Sequence, residues 1–438
     1  MLVSSKIFRG INGNISIPGD KSISHRSIII PSISNGTSEI SNLLMSKDVM
    51  HTLNAFVEMG VKIDLKKNLT IIHGKGLNSL KKPKKSIYLG NSGTSARLLT
   101  GLLASQNFDS ELQGDSSLSK RPMKRITEPL SLMGGKFESL SGTLPLKISG
   151  QNLKNIEHKI KLPSAQIKSG IILAALNTTG TTKIIEENIT RNHTEIMLKS
   201  FEADISVKKN TSSSIISIRG KKELIAKNIE VPSDLSSAAF FIVSALINQN
   251  SQITLKGINI NPTRDGILKA LKLMGAKIEI INKRFVNEEL VCDLIVYSSK
   301  LKGCKLDGTI AKLMIDEYPI LAIAASFAET PSSFEGLKEL KVKESDRLEL
   351  IRLNLENCGI YCQVDGENLY INPKQRSDIK NNMIQTNYDH RIAMSFAVMG
   401  SRLGQDLFIK DEESINTSFP NFIESFNNAG GILGKNIE

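Results

Sequence analysis

The residues best suited to chemistry lie together in one early stretch, Pro18-Gly19-Asp20-Lys21-Ser22-Ile23-Ser24-His25-Arg26. Lys21 and Arg26 bring two full positive charges, and Ser22, Ser24 and His25 add hydrogen-bonding groups. The stretch follows a short strand-like run, Gly13-Asn14-Ile15-Ser16-Ile17, and leads into the apolar Ile28-Ile29-Ile30. Pro18 and Gly19 mark a turn, and Ser22 or Ser24 is placed to cap the helix that follows. A helix N-terminus offers unbonded N–H groups and a partial positive charge. With two cationic side chains added, that makes an anion site. An ordinary capped helix with solvated basic residues would use the same residue types. Recurrence separates the two readings, because the same design returns along the chain.

The second instance is Leu89-Gly90-Asn91-Ser92-Gly93-Thr94-Ser95-Ala96-Arg97. Gly93 lets a ligand approach the backbone, and Asn91 and Thr94 can hydrogen-bond. No Gly-Lys-Ser/Thr closes the turn, so it is not a P-loop. Arg121, in Lys120-Arg121-Pro122-Met123, precedes a proline that holds its backbone extended. An arginine so held suits bidentate binding of a carboxylate or phosphate. Ser164-Ala165-Gln166 opens another helix, and Thr190-Arg191-Asn192-His193 follows it. Asp316 leads into an apolar helix, Ile320 to Phe327, where burial would raise its pKa and suit it to proton transfer; capping that helix is its other reading. Lys343-Glu344-Ser345-Asp346-Arg347-Leu348 reads either as a ligand site or as a salt-bridged helix start. In Tyr388-Asp389-His390-Arg391 an arginine again sits in a first turn, where the helix dipole disfavours a cation unless an anion joins it.

These residues need elements to aim them, and the chain supplies one pattern six times, at intervals of roughly 70 to 80 residues. A short strand leads to a polar turn and an apolar helix; more strand-like sequence leads to a second helix closed by glycine. The first helices begin near Lys21, Gly93, Ser164, Ser233-Asp234, Asp316-Glu317 and Asp389-His390. They are apolar almost all round, as in Ile171-Ile172-Leu173-Ala174-Ala175-Leu176, which predicts burial. Five second helices end at Met59-Gly60, Met133-Gly134, Met274-Gly275, Cys358-Gly359 and Ala429-Gly430, each glycine fitting a left-handed cap. The third repeat departs, with Glu202-Ala203-Asp204 in that place. Six repeats divide into two domains of three, with a tight hinge near Glu230-Val231-Pro232. Three parallel helices in each domain would add their dipoles at one face.

The chain has 438 residues, 40% hydrophobic and 23% charged, which reads as globular and too long for one ordinary core. No apolar run is long enough to span a membrane, and Met1 to Lys6 holds no signal-peptide core, so a cytoplasmic protein is expected. Cys292, Cys304, Cys358 and Cys362 have no histidine nearby and read as reduced thiols rather than a metal site. The net charge of +12 fits nucleic acid or an anionic small molecule. With no tryptophan and 5% aromatic residues, stacking platforms are scarce, and the small acidic ligand is preferred.

Taken in order, Pro18 to Arg26, Gly90-Asn91-Ser92-Gly93-Thr94, Arg121-Pro122-Met123, Lys343 to Leu348 and Asp389-His390-Arg391 resemble the motifs of the 5-enolpyruvylshikimate-3-phosphate synthase (3-phosphoshikimate 1-carboxyvinyltransferase) family. The resemblance covers nearly the whole chain. It implies the α/β, two-domain enolpyruvyl transferase fold. Each domain is an inside-out α/β barrel of three βαββαβ units, and a ligand cleft lies between the domains. Residues 1–19 and 232–438 would form one domain and 20–231 the other, with a double-crossover hinge near 18–21 and 230–234. The first strand would then belong with the C-terminal half.

The family's reaction joins phosphoenolpyruvate to the 5-hydroxyl of shikimate 3-phosphate and releases phosphate. By resemblance, Asp316, Glu344 and Lys21 are catalytic. Shikimate 3-phosphate falls to Lys21, Ser22, Arg26, Ser164, Ala165, Gln166, Arg191, Asp316 and Lys343. Phosphoenolpyruvate falls to Lys21, Gly93, Arg121, Gln166, Arg347 and Arg391. No metal, organic cofactor, nucleic acid or membrane is implied, and a monomer is expected. Gly93 further implies inhibition by glyphosate. The chain departs from some members at Thr417, where they carry lysine, with Lys410 nearby. It departs again at Ala165, where they carry serine, and at His193, where they carry tyrosine. The rival enolpyruvyl transferase, acting on UDP-N-acetylglucosamine, carries a reactive cysteine that residues 106–125 lack.

Overall fold

Each of the six polar turns opens a helix. The computed structural model, which describes residues 1–435 apart from 212, places these helices at Lys21–Ser32, Gly93–Ala104, Ala165–Ala175, Leu235–Ile247, Tyr318–Ser326 and His390–Gly400. Side-chain oxygens cap five of them: Asp20, Ser92, Ser164, Asp234 and Asp389 accept from N–H groups two or three residues on. The first cap is therefore Asp20, not Ser22 or Ser24. Asp20 Oδ1 accepts from Ile23 N at 2.9 Å, while Ser24 Oγ accepts instead from Leu44 N. An ionised carboxylate is the stronger partner for a positive helix end. The helix bodies are buried on all sides, and every residue of Leu235–Ile247 is buried. A fully buried Leu, Ile or Phe contributes about 1.5–3 kcal/mol. The bodies thus carry stability, and the N-termini are left for chemistry.

Among the described residues the strands form six four-stranded sheets. In each, an edge pair is parallel and the next pair antiparallel. Ile229–Glu230 runs parallel to Asn35–Ser41, for example, which pairs antiparallel with Leu69–Lys75. Leu2–Ser4 pairs with Leu407–Ile409 and Leu433–Lys435, so the first strand does lie with the C-terminal half. Five second helices close on glycines in the left-handed region: Gly60, Gly134, Gly275, Gly359 and Gly430, with φ from 77° to 107°. In the third repeat Glu202 takes the same conformation, φ 66°, without glycine.

The chain separates into two compact units. Unit 1 is Met1–Pro18, Ser233–Arg284 and Leu290–Glu438, and unit 2 is Gly19–Pro232 with Phe285–Glu289. Each has its own core. That of unit 1 holds an aromatic cluster of Phe240, Phe241, Phe419, Phe422 and Phe426. That of unit 2 is largely aliphatic, around Ile29, Leu99 and Ile171. In unit 2 the helices Gly93–Ala104 and Ala165–Ala175 cross at Gly101 and Gly170 so closely that a Cβ on Gly101 would overlap the Gly170 carbonyl. Among the described residues no helix is long and apolar enough to cross a membrane. All four cysteines are free thiols, and burial pushes those of Cys292, Cys358 and Cys362 up to about 12.

Candidate active site

In unit 2, Lys21 begins its helix and reaches sideways to Asp48, with Nζ 2.5 Å from Oδ2. Arg26 follows on the same helix and is buried, 3% exposed. Neutral oxygens accept its hydrogen bonds: Thr194 Oγ1 at 2.6 Å, Ser169 Oγ at 2.7 Å and the Ser22 carbonyl at 2.7 Å. Burial pulls its pKa down to about 10. Glu195, Asp20 and Glu289 oppose the shift through space, and the nearby charge of Arg191 adds to it. The cradle is itself braced. Buried Lys168, next to Ser169, lies 2.7 Å from Glu195, next to Thr194, and 2.9 Å from Glu186. Lys168 also donates to the Thr190 carbonyl at 3.4 Å, which ties down the turn that carries Arg191.

The glycine turn of the second repeat forms the other wall of unit 2. Arg121 donates to Asn91 Oδ1 and to Ser117 Oγ, and a Cβ on Gly93 would lie 3.2 Å from its Nη1. Gln166 Nε2 donates to Thr94 Oγ1 at 3.1 Å, joining two helix starts. Ser164 caps its own helix at 3.4 Å, and Ala165 is the first residue of that helix. Behind this wall His25 Nδ1 lies 2.8 Å from Thr52 Oγ1, which lies 2.5 Å from Ser95 Oγ. Burial first, then the charges of Lys21 and Arg26, hold the His25 pKa well below its usual value, and Asp20 opposes them.

Unit 1 is organised around one guanidinium. Arg347 is 1% exposed and meets three carboxylates: Asp389 Oδ2 at 2.8 Å, Glu344 Oε2 at 2.5 Å and Asp316 Oδ1 at 3.2 Å. Burial works to lower its pKa, but Asp389, Glu344 and Asp316 outweigh burial and the pKa is raised. Lys343 Nζ lies 3.5 Å from Asp316 Oδ1. Asp316 is thus bracketed by cations, not by the apolar surroundings expected from its sequence, and it does not cap the helix. That helix starts two residues later, with Glu317 at the cap position. Arg391 N donates to Asp389 Oδ1 at 2.9 Å, and Arg391 Nη1 donates to the Asp316 carbonyl at 3.1 Å.

The sequence matches the family described as EPSP synthase (3-phosphoshikimate 1-carboxyvinyltransferase) over residues 6–426. It is 47% identical to the 3-phosphoshikimate 1-carboxyvinyltransferase of Vesicomyosocius okutanii over 95% of both chains. The chain belongs to the EPSP synthase family. The solved EPSP synthase of Acinetobacter baumannii superposes with a TM-score of 0.87, 42% identity and 99% coverage of both chains. The enolpyruvyl transferase NikO of Streptomyces tendae superposes at 0.78 with 14% identity, which speaks to the fold alone. The architecture is accordingly the two-domain α/β fold of the enolpyruvyl transferases.

Of the three departures from the EPSP synthase pattern, Ala165 opens its helix, and the other two have clear surroundings. Thr417 Oγ1 donates to the Ser414 carbonyl and lies 3.4 Å from His390 Nδ1, while Lys410 Nζ donates to Gln385 Oε1. His193 Nδ1 lies 2.6 Å from Glu289 Oε1. Sequence reasoning missed the partners Asp48, Ser169 and Thr194. It also missed the buried pair Arg264 and Glu317. Arg264, in Asn261-Pro262-Thr263-Arg264, was within reach, because it is the fourth repeat's counterpart of Arg121, Arg191 and Arg347.

Proposed function

We propose that the chain transfers the carboxyvinyl group of phosphoenolpyruvate to the 5-hydroxyl of shikimate 3-phosphate and releases phosphate, as a cytoplasmic monomer. The observation that carries the mechanism is the placing of Asp316 and Glu344 on one guanidinium, that of Arg347. Two carboxylates fixed by a shared cation suit a reaction with two separate proton transfers. Asp316 takes the proton of the 5-hydroxyl as its oxygen bonds to C2 of phosphoenolpyruvate. The methylene carbon C3 gains a proton, a role shared by Glu344 and Lys21, and a tetrahedral intermediate results. The same pair then takes a proton back from the new methyl group. The C2–O bond breaks, and phosphate leaves with the electron pair.

In this reading Lys21, Ser22, Arg26, Ser164, Ala165, Gln166, Arg191, Asp316 and Lys343 hold shikimate 3-phosphate. Lys21, Gly93, Arg121 and Gln166, with Arg347 and Arg391, hold phosphoenolpyruvate. Their charges stabilise anions whose charge shifts during reaction. The test is phosphate release from phosphoenolpyruvate with either shikimate 3-phosphate or UDP-N-acetylglucosamine as acceptor. Release with the first alone is expected, and release with the second alone would overturn the assignment.

A further inference from the structure

The helices Leu235–Ile247, Tyr318–Ser326 and His390–Gly400 of unit 1 pack on one another, and their N-termini meet at a carboxylate the proposed reaction does not use. Glu317 stands at the cap position of the middle helix, yet its side chain makes no capping bond. It is 2% exposed. Its Oε1 accepts from Ser236 Oγ, in the first turn of one neighbouring helix. The same oxygen lies 3.6 Å from Arg391 Nη1, at the start of the other, and 3.7 Å from Arg264 Nη2. Its Oε2 is buried with no hydrogen-bond partner. A buried carboxylate is stable only where cations hold it, and here two guanidinium groups and the N-terminal ends of helices do so. Those positive groups are the ones that would otherwise act in full on an incoming anion.

We propose that Glu317 is a resident counter-anion, a positioning residue that fixes the Arg391 guanidinium and sets how tightly it binds an anionic ligand. The inference rests on the reading of Arg391 as a phosphoenolpyruvate contact. A carboxylate this close to the ligand's own cation weakens anion binding by about tenfold at the effective dielectric of a partly buried site. The benefit is release. The reaction makes inorganic phosphate beside its arginines, and uncompensated arginines would retain it. Binding that is equally strong before and after reaction does not speed turnover.

The test is calorimetric titration of the full chain with inorganic phosphate, in wild type, Glu317→Gln, Glu317→Gln with Arg264→Gln, and Arg391→Ala, each checked by circular dichroism. Glu317→Gln should bind phosphate about tenfold more tightly, a gain that lost packing does not produce. The double variant removes one buried cation with the anion and should return to within about threefold of wild type. Arg391→Ala should lose most of the binding. Unchanged or weaker binding in Glu317→Gln overturns the proposal, as does unchanged binding in Arg391→Ala. Should Glu317→Gln fail to fold, a change of tenfold or more in the charge-balanced double variant overturns it too. A wild type that binds phosphate but does not turn over phosphoenolpyruvate with shikimate 3-phosphate would fail the functional reading instead.

Discussion

Arg26 in unit 2 and Arg347 in unit 1 are both buried arginines near helix starts, and their surroundings are opposite. Arg26 is cradled by two hydroxyls and a carbonyl, and burial lowers its pKa to about 10. Arg347 is caged by three carboxylates that raise its pKa. Neutral acceptors satisfy hydrogen bonds without neutralising charge, so the Arg26 side keeps a positive potential for an external anion. The cage of Arg347 offsets much of its charge and fixes Asp316 and Glu344 in place. In the proposed function Arg26 therefore meets an anion from among neutral partners, while Arg347 meets one as part of an ion cluster that also orients Asp316 and Glu344. Glu317 fits the same contrast, as an internal anion in unit 1 that offsets Arg391 and Arg264.

That contrast is broken most directly through Asp316 and Glu344, the pair proposed to handle protons. Asp316→Asn and Glu344→Gln should each lower kcat by about 10²- to 10⁴-fold. Shikimate 3-phosphate affinity should change by only a few-fold, read by steady-state kinetics beside calorimetry. Equal losses in both would leave these carboxylates with a binding role alone. Stability separates the two arginines next. Arg347→Met leaves three carboxylates without their shared cation and should cost about 3–5 kcal/mol. Arg26→Met leaves Ser169 and Thr194, whose hydroxyls already lie 2.7 Å apart, and should cost about 1 kcal/mol. Denaturation curves that shift equally would contradict the contrast.

A smaller effect concerns His25. Its folded pKa lies well below 6.5, so at acid pH the unfolded chain takes up a proton that the folded chain does not. The stability from neutral His25 is complete above about 6.5 and is lost as pH falls through the unfolded value towards the folded one, by about 1.4 kcal/mol per pH unit. His25→Gln should flatten that slope between pH 7.5 and 5.5 in thermal melts, and an unchanged slope would place the titration elsewhere. The smallest effect is that of Gly93→Ala. The new methyl meets the end of Arg97 and comes within 3.2 Å of Arg121 Nη1, and both guanidinium groups can give way. The Michaelis constant for phosphoenolpyruvate should rise only a few-fold. Inhibition by glyphosate, implied by the family resemblance, should weaken more; a wild type that resists glyphosate would refute that part.

Much of the frame was legible because it is local. Polar turns before apolar helices and glycines after them are written within a few residues, as at Ser92 and Gly134. The charges of the site were legible too, since an arginine at a helix start is costly unless an anion is intended. Their partners were not, because they come from distant segments. Thr194 and Ser169 reach Arg26 across 168 and 143 positions of sequence. Asp316 read as an apolar helix start because Lys343 and Arg347 lie in the following half-repeat. Glu317 beside it looked like part of an ordinary helix start, since nothing nearby shows that Ser236, Arg264 and Arg391 converge on it.

The most direct test of the contrast is calorimetric titration of shikimate 3-phosphate into wild type and Arg26→Met, with melting temperature measured on the same samples. A charge-assisted hydrogen bond contributes about 1.5–3 kcal/mol. The neutral cradle should therefore give a loss of affinity of about 10- to 100-fold in Arg26→Met, with melting shifted by no more than about 4 °C. Affinity within twofold of wild type, or a loss of affinity matched by a large loss of stability, would contradict the account.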